Sequence, residues 1–187
     1  APFYAPQVKI ALRNVGMIDP SSLDDYLERG GYEGLKRALT MSSEEILQEV
    51  ETSGLRGRGG AGFPTGRKWR TAAGYDRYPK YVICNGDEGD PGAFMDRSIL
   101  EGDPHSVIEG MIICGLAIGS TEGYLYIRDE YDSARKRIME AIEVAEAAGY
   151  LGDSIMGTDR SMHLSVVRGG GAFVCGESTA LMTSIEG

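Results

Sequence analysis

Residues Arg56 to Trp69 read Arg-Gly-Arg-Gly-Gly-Ala-Gly-Phe-Pro-Thr-Gly-Arg-Lys-Trp, with five glycines, four cationic side chains and no acid. Glycine lets backbone N–H groups approach an anion closely and adopts positive φ at little cost. Clustered Arg and Lys add charge-assisted hydrogen bonds to phosphate or to an anionic ring. In a chain of formal net charge -9, such a locally basic loop points to an anionic cofactor. Gly57, Gly59 and Gly62 fit G-x-G-x-x-G, a weak pattern alone, and the dinucleotide fingerprint needs a strand just before it. Residues 42–52 read instead as a helix, so an ordinary dinucleotide-binding turn is rejected. A flexible structural loop is the alternative from the glycines alone; the basic cluster and Trp69 count against it. A nucleotide hydrolase of the P-loop kind is disfavoured, because Gly66-Arg67-Lys68-Trp69 has no hydroxyl after the lysine.

A second loop, Asn85-Gly86-Asp87-Glu88-Gly89-Asp90-Pro91-Gly92, holds three acids in four residues. Such a run is commonly a solvated turn, and the twelve-residue calcium frame is absent. Carboxylates and Asn85 could instead accept the N–H and hydroxyl groups of a flavin ring and ribityl chain, while the basic loop faces its phosphate or the electron-rich edge of its ring. A third glycine-rich stretch, Gly169-Gly170-Gly171, leads to Cys175-Gly176-Glu177-Ser178.

The elements that must position these loops alternate. Residues 1–52 read as a small, mostly helical lead-in, with a short strand at Val8–Leu12 and helices at Ser21–Arg29 and Glu33–Leu39. Ser42 and Glu45 form a capping-box pattern ahead of a third helix. From residue 53 to 187, strands are expected at Tyr81–Cys84, Tyr124–Ile127 and Leu164–Val167. The Asn85–Gly92 stretch reads as irregular. A helix begins at Asp103-Pro104, with Asp103 as its cap, and runs to about Ile118. It is apolar enough beyond Glu109 to be buried, and Gly119 stops it. An amphipathic helix spans Asp132–Ala148 and closes at Gly149; another follows Ser178. This order predicts an α/β domain with a largely parallel sheet, whose ligands sit beyond the carboxyl ends of the strands.

Composition narrows the function. Hydrophobic content of 42% and charged content of 25% suit a soluble globular domain. The acidic balance argues against a nucleic-acid partner, and no apolar run has membrane-spanning length. Cys84, Cys114 and Cys175 are odd in number and far apart, and only His105 and His163 accompany them, so neither a disulfide framework nor a metal site is expected. A reducing cytoplasm fits this cysteine usage. Trp69 reads as packing, Cys84 and Cys175 as structural thiols, Arg97 as a partner of Asp96 or Glu101, and Arg56 as a solvated cation.

Three motifs together carry a family resemblance: Gly57 to Trp69, Asn85 to Arg97, and Gly171-Ala172-Phe173-Val174-Cys175-Gly176-Glu177-Ser178-Thr179-Ala180-Leu181. In this order they resemble the NADH-binding, FMN-containing flavoprotein subunit of respiratory complex I. They also resemble its soluble relatives, the diaphorase subunits of NAD(P)-linked, often electron-bifurcating, hydrogenases, transhydrogenases and formate dehydrogenases. The wording Gly89 to Arg97 is nearer the soluble branch. The resemblance implies a modified Rossmann-like fold that holds FMN and NAD(H) or NADP(H) in one pocket. Gly57, Arg58, Gly59 and Gly60 would line the FMN, and Lys68 would sit beside its ring and stabilise the reduced form. Asn85, Asp87 and Glu88 would bond the FMN, with Gly89 in the same loop, and Gly176 and Glu177 would close the pocket. Phe63 would stack on the nicotinamide nucleotide, and Asp90, Phe173 and Ser178 would border its site. Lys68 and Glu88 are the catalytic candidates.

The resemblance further implies hydride transfer between nicotinamide and FMN. Electrons would pass to or from iron–sulfur partners, such as a thioredoxin-like 2Fe–2S subunit and a catalytic or ferredoxin-linked subunit. The family continues with an Asn-Asn-x-Glu-Thr segment, a ubiquitin-like domain and a four-cysteine helical domain for a 4Fe–4S cluster. These are missing from the 187 residues, so a fragment is expected. A non-catalytic assembly module without flavin is the alternative. The family usually reads Cys-Gly-Glu-Glu where this chain has Cys175-Gly176-Glu177-Ser178, which bears on the choice between NAD and NADP.

Overall fold

The computed structural model describes residues 2–3, 5–170 and 173–187, with side chains for all of these except Phe173. Three strands, β1 (Tyr81–Gly86), β2 (Glu122–Ile127) and β3 (His163–Arg168), form a parallel sheet in that order. Tyr81 pairs with Glu122 and Gly86 with Ile127; Glu122 pairs with His163 and Ile127 with Arg168. The strands therefore end in one row: Gly86, Ile127, Arg168.

Among the described residues, eight helices surround the sheet: α1 (Leu23–Glu28), α2 (Glu33–Leu39), α3 (Ser43–Thr52), α4 (Thr65–Ala73), α5 (Met95–Gly102), α6 (Pro104–Ile118), α7 (Asp132–Ala147) and α8 (Ser178–Glu186). Helix α6 is central, as its apolar run predicts. Ile108 and Ile112 are fully buried, Ala117 and Ile118 nearly so, and burial stabilises each isoleucine by about 1.5–3 kcal/mol. It packs on β1 and on α2, α3, α4, α5 and α7. Gly119, at φ 77°, takes the left-handed position that ends it. The Ser42–Glu45 capping box forms in full at the start of α3.

Four local expectations differ from the structure. Residues Val8–Leu12 are irregular and turn backbone rather than a strand, with Val8 and Ile10 largely exposed and no strand paired with them among the described residues. The stretch from Thr65 to Trp69 is the start of α4, not loop. Strand β1 runs on through Asn85 and Gly86, because Tyr126 and Ile127 of β2 extend the pairing that far. Asp103 stands at the cap position of α6, but its side chain makes no cap bond; it accepts instead from Asn14 Nδ2 at 2.9 Å.

Glu109 of α6 ties the first helices to the rest. Its carboxylate accepts the backbone N–H groups of Tyr32 and Leu35, each at 2.9 Å, and the Tyr26 hydroxyl at 2.5 Å. Tyr32 is the cap residue of α2 and makes no side-chain cap bond of its own, so an acid 77 residues away supplies the missing acceptor. Next to it His105 is buried, with Nδ1 3.0 Å from the Tyr32 hydroxyl and its ring stacked on Tyr26.

Burial lowers the His105 pKa from 6.5 to about 4. Between those values the unfolded chain binds the proton and the folded chain does not. Stability is therefore lost as pH falls from about 6.5 towards 4. Urea unfolding should show wild type losing about 2 kcal/mol more than His105→Gln between about pH 7 and pH 5. Equal losses would place the charged imidazole inside the folded protein.

Candidate functional site

Loops from three parts of the chain meet at the row of strand ends. They enclose a cavity of about 830 Å³, within the range of roughly 300–1,000 Å³ typical of small-molecule and cofactor sites. Arg58, Gly59 and Gly60 reach it from the basic loop; Asn85, Asp87, Glu88, Gly89 and Asp90 from the end of β1; and Gly176 and Glu177 from the turn before α8. Ala93, Met95, Asp96 and Val174 complete the lining. The basic loop closes at its neck, where Gly57 N–H donates to Phe63 O at 2.9 Å. Gly60 (φ 97°) and Gly62 (φ 59°) take left-handed conformations that a side chain would strain. Gly66, by contrast, serves packing: a Cβ there would lie 2.7 Å from the Glu51 backbone nitrogen.

Asn85 joins two of the loops. Its Nδ2 donates to Gly176 O at 2.9 Å, and its Oδ1 accepts Asp87 N–H at 3.1 Å. The carboxylates have different tasks. Glu88 accepts the N–H groups of Asp96 (3.0 Å) and Arg97 (3.2 Å) and so caps α5, whose own cap residue Phe94 makes no such bond. This explains why the sequence gives no sign of α5: its cap comes from eight residues away. Glu177 caps α8 by accepting from Thr179 and Ala180 N–H at 2.9 and 3.1 Å, and these bonds hold its pKa below the usual carboxylate value. Asp96 is pushed up by burial and by the charge of Glu88.

Asp87 is different. Both its carboxylate oxygens are buried without a hydrogen-bond partner among the described residues. Burial raises its pKa, with Arg128 opposing and Glu130 adding to the rise. Asp87 lines the cavity, and its two covered oxygens stand at that wall as acceptors without a donor from the described residues.

Other candidates lie next door. Lys68 and Ser178 line a second cavity, of about 400 Å³, which Asn85 shares with the first. Trp69 lines the same recess while packing on the core. Phe63 is half-exposed beside Arg67, on a recess it shares with Lys68 and Tyr75. Gly171, Ala172 and the side chain of Phe173 lie outside the described residues. Arg97 pairs with Glu101 at 3.0 Å, and Arg56 donates to Gly62 O at 2.9 Å. Burial pushes the Cys84 thiol up to about 12. The sequence reading missed Arg128 and Tyr131, which grip the acidic loop from behind. The available signal was that Arg128 directly follows the last residue of the central strand.

The family model for the Nuo51 FMN-binding domain of the 51-kDa complex I subunit matches residues 50–187. This chain belongs to that family. It is 56% identical, over 97% of its length, to the NADP-reducing hydrogenase subunit HndC of Solidesulfovibrio fructosivorans. It is 52% identical, over 89%, to an NADH-quinone oxidoreductase subunit of Aquifex aeolicus. It spans 37% and 39% of the length of those two relatives. A crystal structure of an NAD+-reducing [NiFe]-hydrogenase superposes with a TM-score of 0.72 at 32% identity. That match covers 96% of this chain and 28% of the other. These likenesses agree with the α/β, largely parallel architecture expected from the alternating elements.

The residues present fit FMN. Ribityl hydroxyls and the ring N–H are donors, and Asp87 offers two unsatisfied buried acceptors in a cavity of suitable size. The glycine loop brings backbone N–H groups and Arg58 to another wall. No described helix is long and apolar enough to cross a membrane, and no group of acids, cysteines and histidines among the described residues could hold a metal ion.

Asp87→Asn removes an unpaired buried charge. It should raise the melting stability of the cofactor-free protein at neutral pH by about 1 kcal/mol or more, while weakening FMN binding measured by flavin fluorescence. A less stable apo variant would mean that Asp87 has a partner within the fold.

Proposed function

We propose that this chain is the FMN- and nicotinamide-binding part of an NAD(P)H dehydrogenase subunit of the diaphorase type, working within a multi-subunit oxidoreductase. The unpartnered Asp87 carboxylate in the three-loop cavity is the observation that most supports it, because a flavin supplies the donors it lacks. When bound, FMN would exchange a hydride with a nicotinamide and pass electrons singly to or from iron–sulfur clusters. Asn85 and Asp87 would orient it, with Glu88 holding the loop to the N-terminus of α5. The N–H groups of Gly59 and Gly60, with Arg58, would meet negative charge, while Gly57, whose N–H is taken by Phe63 O, would close the neck of that loop. Lys68 would add a positive charge from the adjoining recess. Phe63, Asp90, Gly89 and Phe173 would border the nicotinamide nucleotide, and Gly176 and Glu177 would hold the third wall. The reaction then needs orientation and a dry pocket rather than a protein nucleophile.

The partners in this reading are iron–sulfur subunits, including a thioredoxin-like 2Fe–2S subunit and a catalytic or ferredoxin-linked subunit, in the cytoplasm. Electron bifurcation would be open to the same class of assembly. The 4Fe–4S cluster would belong to a part of the protein beyond these residues.

The full-length protein should purify yellow with FMN. Lys68→Ala should slow anaerobic flavin reduction by NADH or NADPH about tenfold. That is less than the roughly hundredfold loss typical of an enclosed donor, because Lys68 is exposed. A colourless protein that takes up no added FMN would favour an assembly module instead. Unchanged FMN content and reduction in the variant would remove Lys68 from the site.

Nicotinamide choice rests on Ser178, where the family usually carries a second glutamate. An acid there would favour a free adenosine ribose and repel the 2′-phosphate of NADPH; serine removes that repulsion. The NADP-reducing relative at 56% identity is consistent with such tolerance. Ser178 is the first residue of α8, and a carboxylate at a helix N-terminus suits the dipole, so Ser178→Glu should fold. The ratio of kcat/KM for NADPH over NADH should fall about tenfold in Ser178→Glu. An unchanged ratio would mean that Ser178 does not set the preference.

A further inference from the structure

Arg128 follows directly on Ile127, the last residue of the central strand, and its side chain is only 21% exposed. Its Nη1 donates to Glu88 O at 2.7 Å, and its Nη2 meets Glu130 Oε1 at 3.2 Å. The guanidinium lies 5.8 Å from the ring centroid of Tyr131, which also takes Arg97 at 5.4 Å. Tyr131 is buried, and its hydroxyl points at the same loop, 3.3 Å from Glu88 Oε2 and 3.4 Å from Ala93 O. Glu88 is thus held at both ends. Arg128 takes its carbonyl, and the N-terminus of α5, with Tyr131, takes its carboxylate.

We propose that Arg128 is a positioning residue for the flavin cavity, acting through Glu88 and Asp87 without touching the cofactor. The inference rests on the FMN reading given above. Two consequences of its placement support it. A charge-assisted bond to a loop carbonyl is roughly twice as strong as a neutral one, and the carbonyl it takes belongs to the residue between Asp87 and Gly89, both of which line the cavity. Releasing that carbonyl would free the middle of the loop. Arg128 also sets a positive charge where it opposes the rise that burial imposes on the Asp87 carboxyl. Glu130 acts on Asp87 in the opposite sense and is itself paired to Arg128. Removing the arginine would therefore leave two like charges near each other, as well as a loose loop. Arg135 and Arg168 do not duplicate it, because both are paired with Asp129.

The test compares full-length wild type, Arg128→Gln and Arg128→Lys. Glutamine is two bonds too short to reach the carbonyl from the same backbone position and carries no charge; lysine keeps both donor and charge. Hydrogen–deuterium exchange of the cofactor-free protein reads the loop itself. Arg128→Gln should speed exchange across residues 86–97 about tenfold, with α6 amides unchanged, and Arg128→Lys should recover most of the protection. FMN titration by fluorescence should show about a tenfold weaker Kd for Arg128→Gln. In an Asp87→Asn background the electrostatic share of that penalty should vanish, because the charge would have nothing left to act on, while the share from the loosened loop remains. Unaltered loop exchange in Arg128→Gln overturns the positioning role, whatever FMN does. So does a full penalty that persists without Asp87. If wild type itself takes up no FMN while the exchange result holds, the FMN reading fails and the grip on the loop stands.

Discussion

The parallel register of the sheet is the constraint on which the site depends. Because Gly86, Ile127 and Arg168 end in one row, the chain must leave all three strands at one edge. The segments that follow them then compete for the same space. The Asn85–Gly92 loop follows β1, Arg128 and Tyr131 follow β2, and the Gly176–Glu177 turn follows β3. Antiparallel pairing of any neighbour would send one of these groups to the opposite edge. The register is held in turn by α6, whose apolar side chains pack under β1 and β2. A sheet buried by such a helix cannot slip by one residue without turning its apolar positions outward.

Charge is the second problem that the architecture resolves. Asp87, Glu88, Asp90, Asp96 and Glu177 line the cavity against the single described cation Arg58, an unpromising setting for an anionic cofactor. Two of those carboxylates are already committed to helix ends. Glu88 sits on the N–H groups that open α5, and Glu177 on those that open α8. A negative charge at a helix N-terminus meets the positive end of the helix dipole, so each is stabilised where it stands. The acids that look like a repulsive cluster in the sequence are therefore partly structural, and Asp87 is left as a buried carboxylate without a hydrogen-bond partner among the described residues.

What could be read from the sequence follows the distance over which each interaction acts. The capping box at Ser42–Glu45 spans three residues, and the glycine at 119 ends its own helix; both were legible. The chemistry of the basic and acidic loops was legible too, since residue type alone states which groups donate and which accept. The missed features are those whose partners are remote. Helix α5 has no cap of its own, and the Glu88 that supplies one lies on the other side of a Gly-Asp-Pro-Gly loop. Asn85 meets Gly176 across 91 residues, and Arg128 meets Glu88 across 40. Val8–Leu12 shows the converse error. Its apolar residues suit a strand, but a strand needs a neighbour, and the sheet offers it none.

The same reasoning separates packing glycines from binding glycines within one motif. Gly66 stands among the residues that suggested an anion site, yet it is where α4 touches the backbone of α3, and any side chain there would force the two helices apart. Gly59 and Gly60 have open space where a Cβ would go, and both line the cavity. For them the absence of a side chain leaves room for something other than the protein. Gly176 lies between the two cases: a Cβ would come 3.2 Å from Asp87 O and 3.5 Å from Asp87 Oδ2. That glycine lets the third loop close on the second, directly over the buried Asp87 carboxylate. The second and third loops thus meet at Asn85, Asp87 and Gly176, and together with the first they line one cavity. A buried carboxylate without a donor at such a wall is the kind of group that a bound cofactor satisfies.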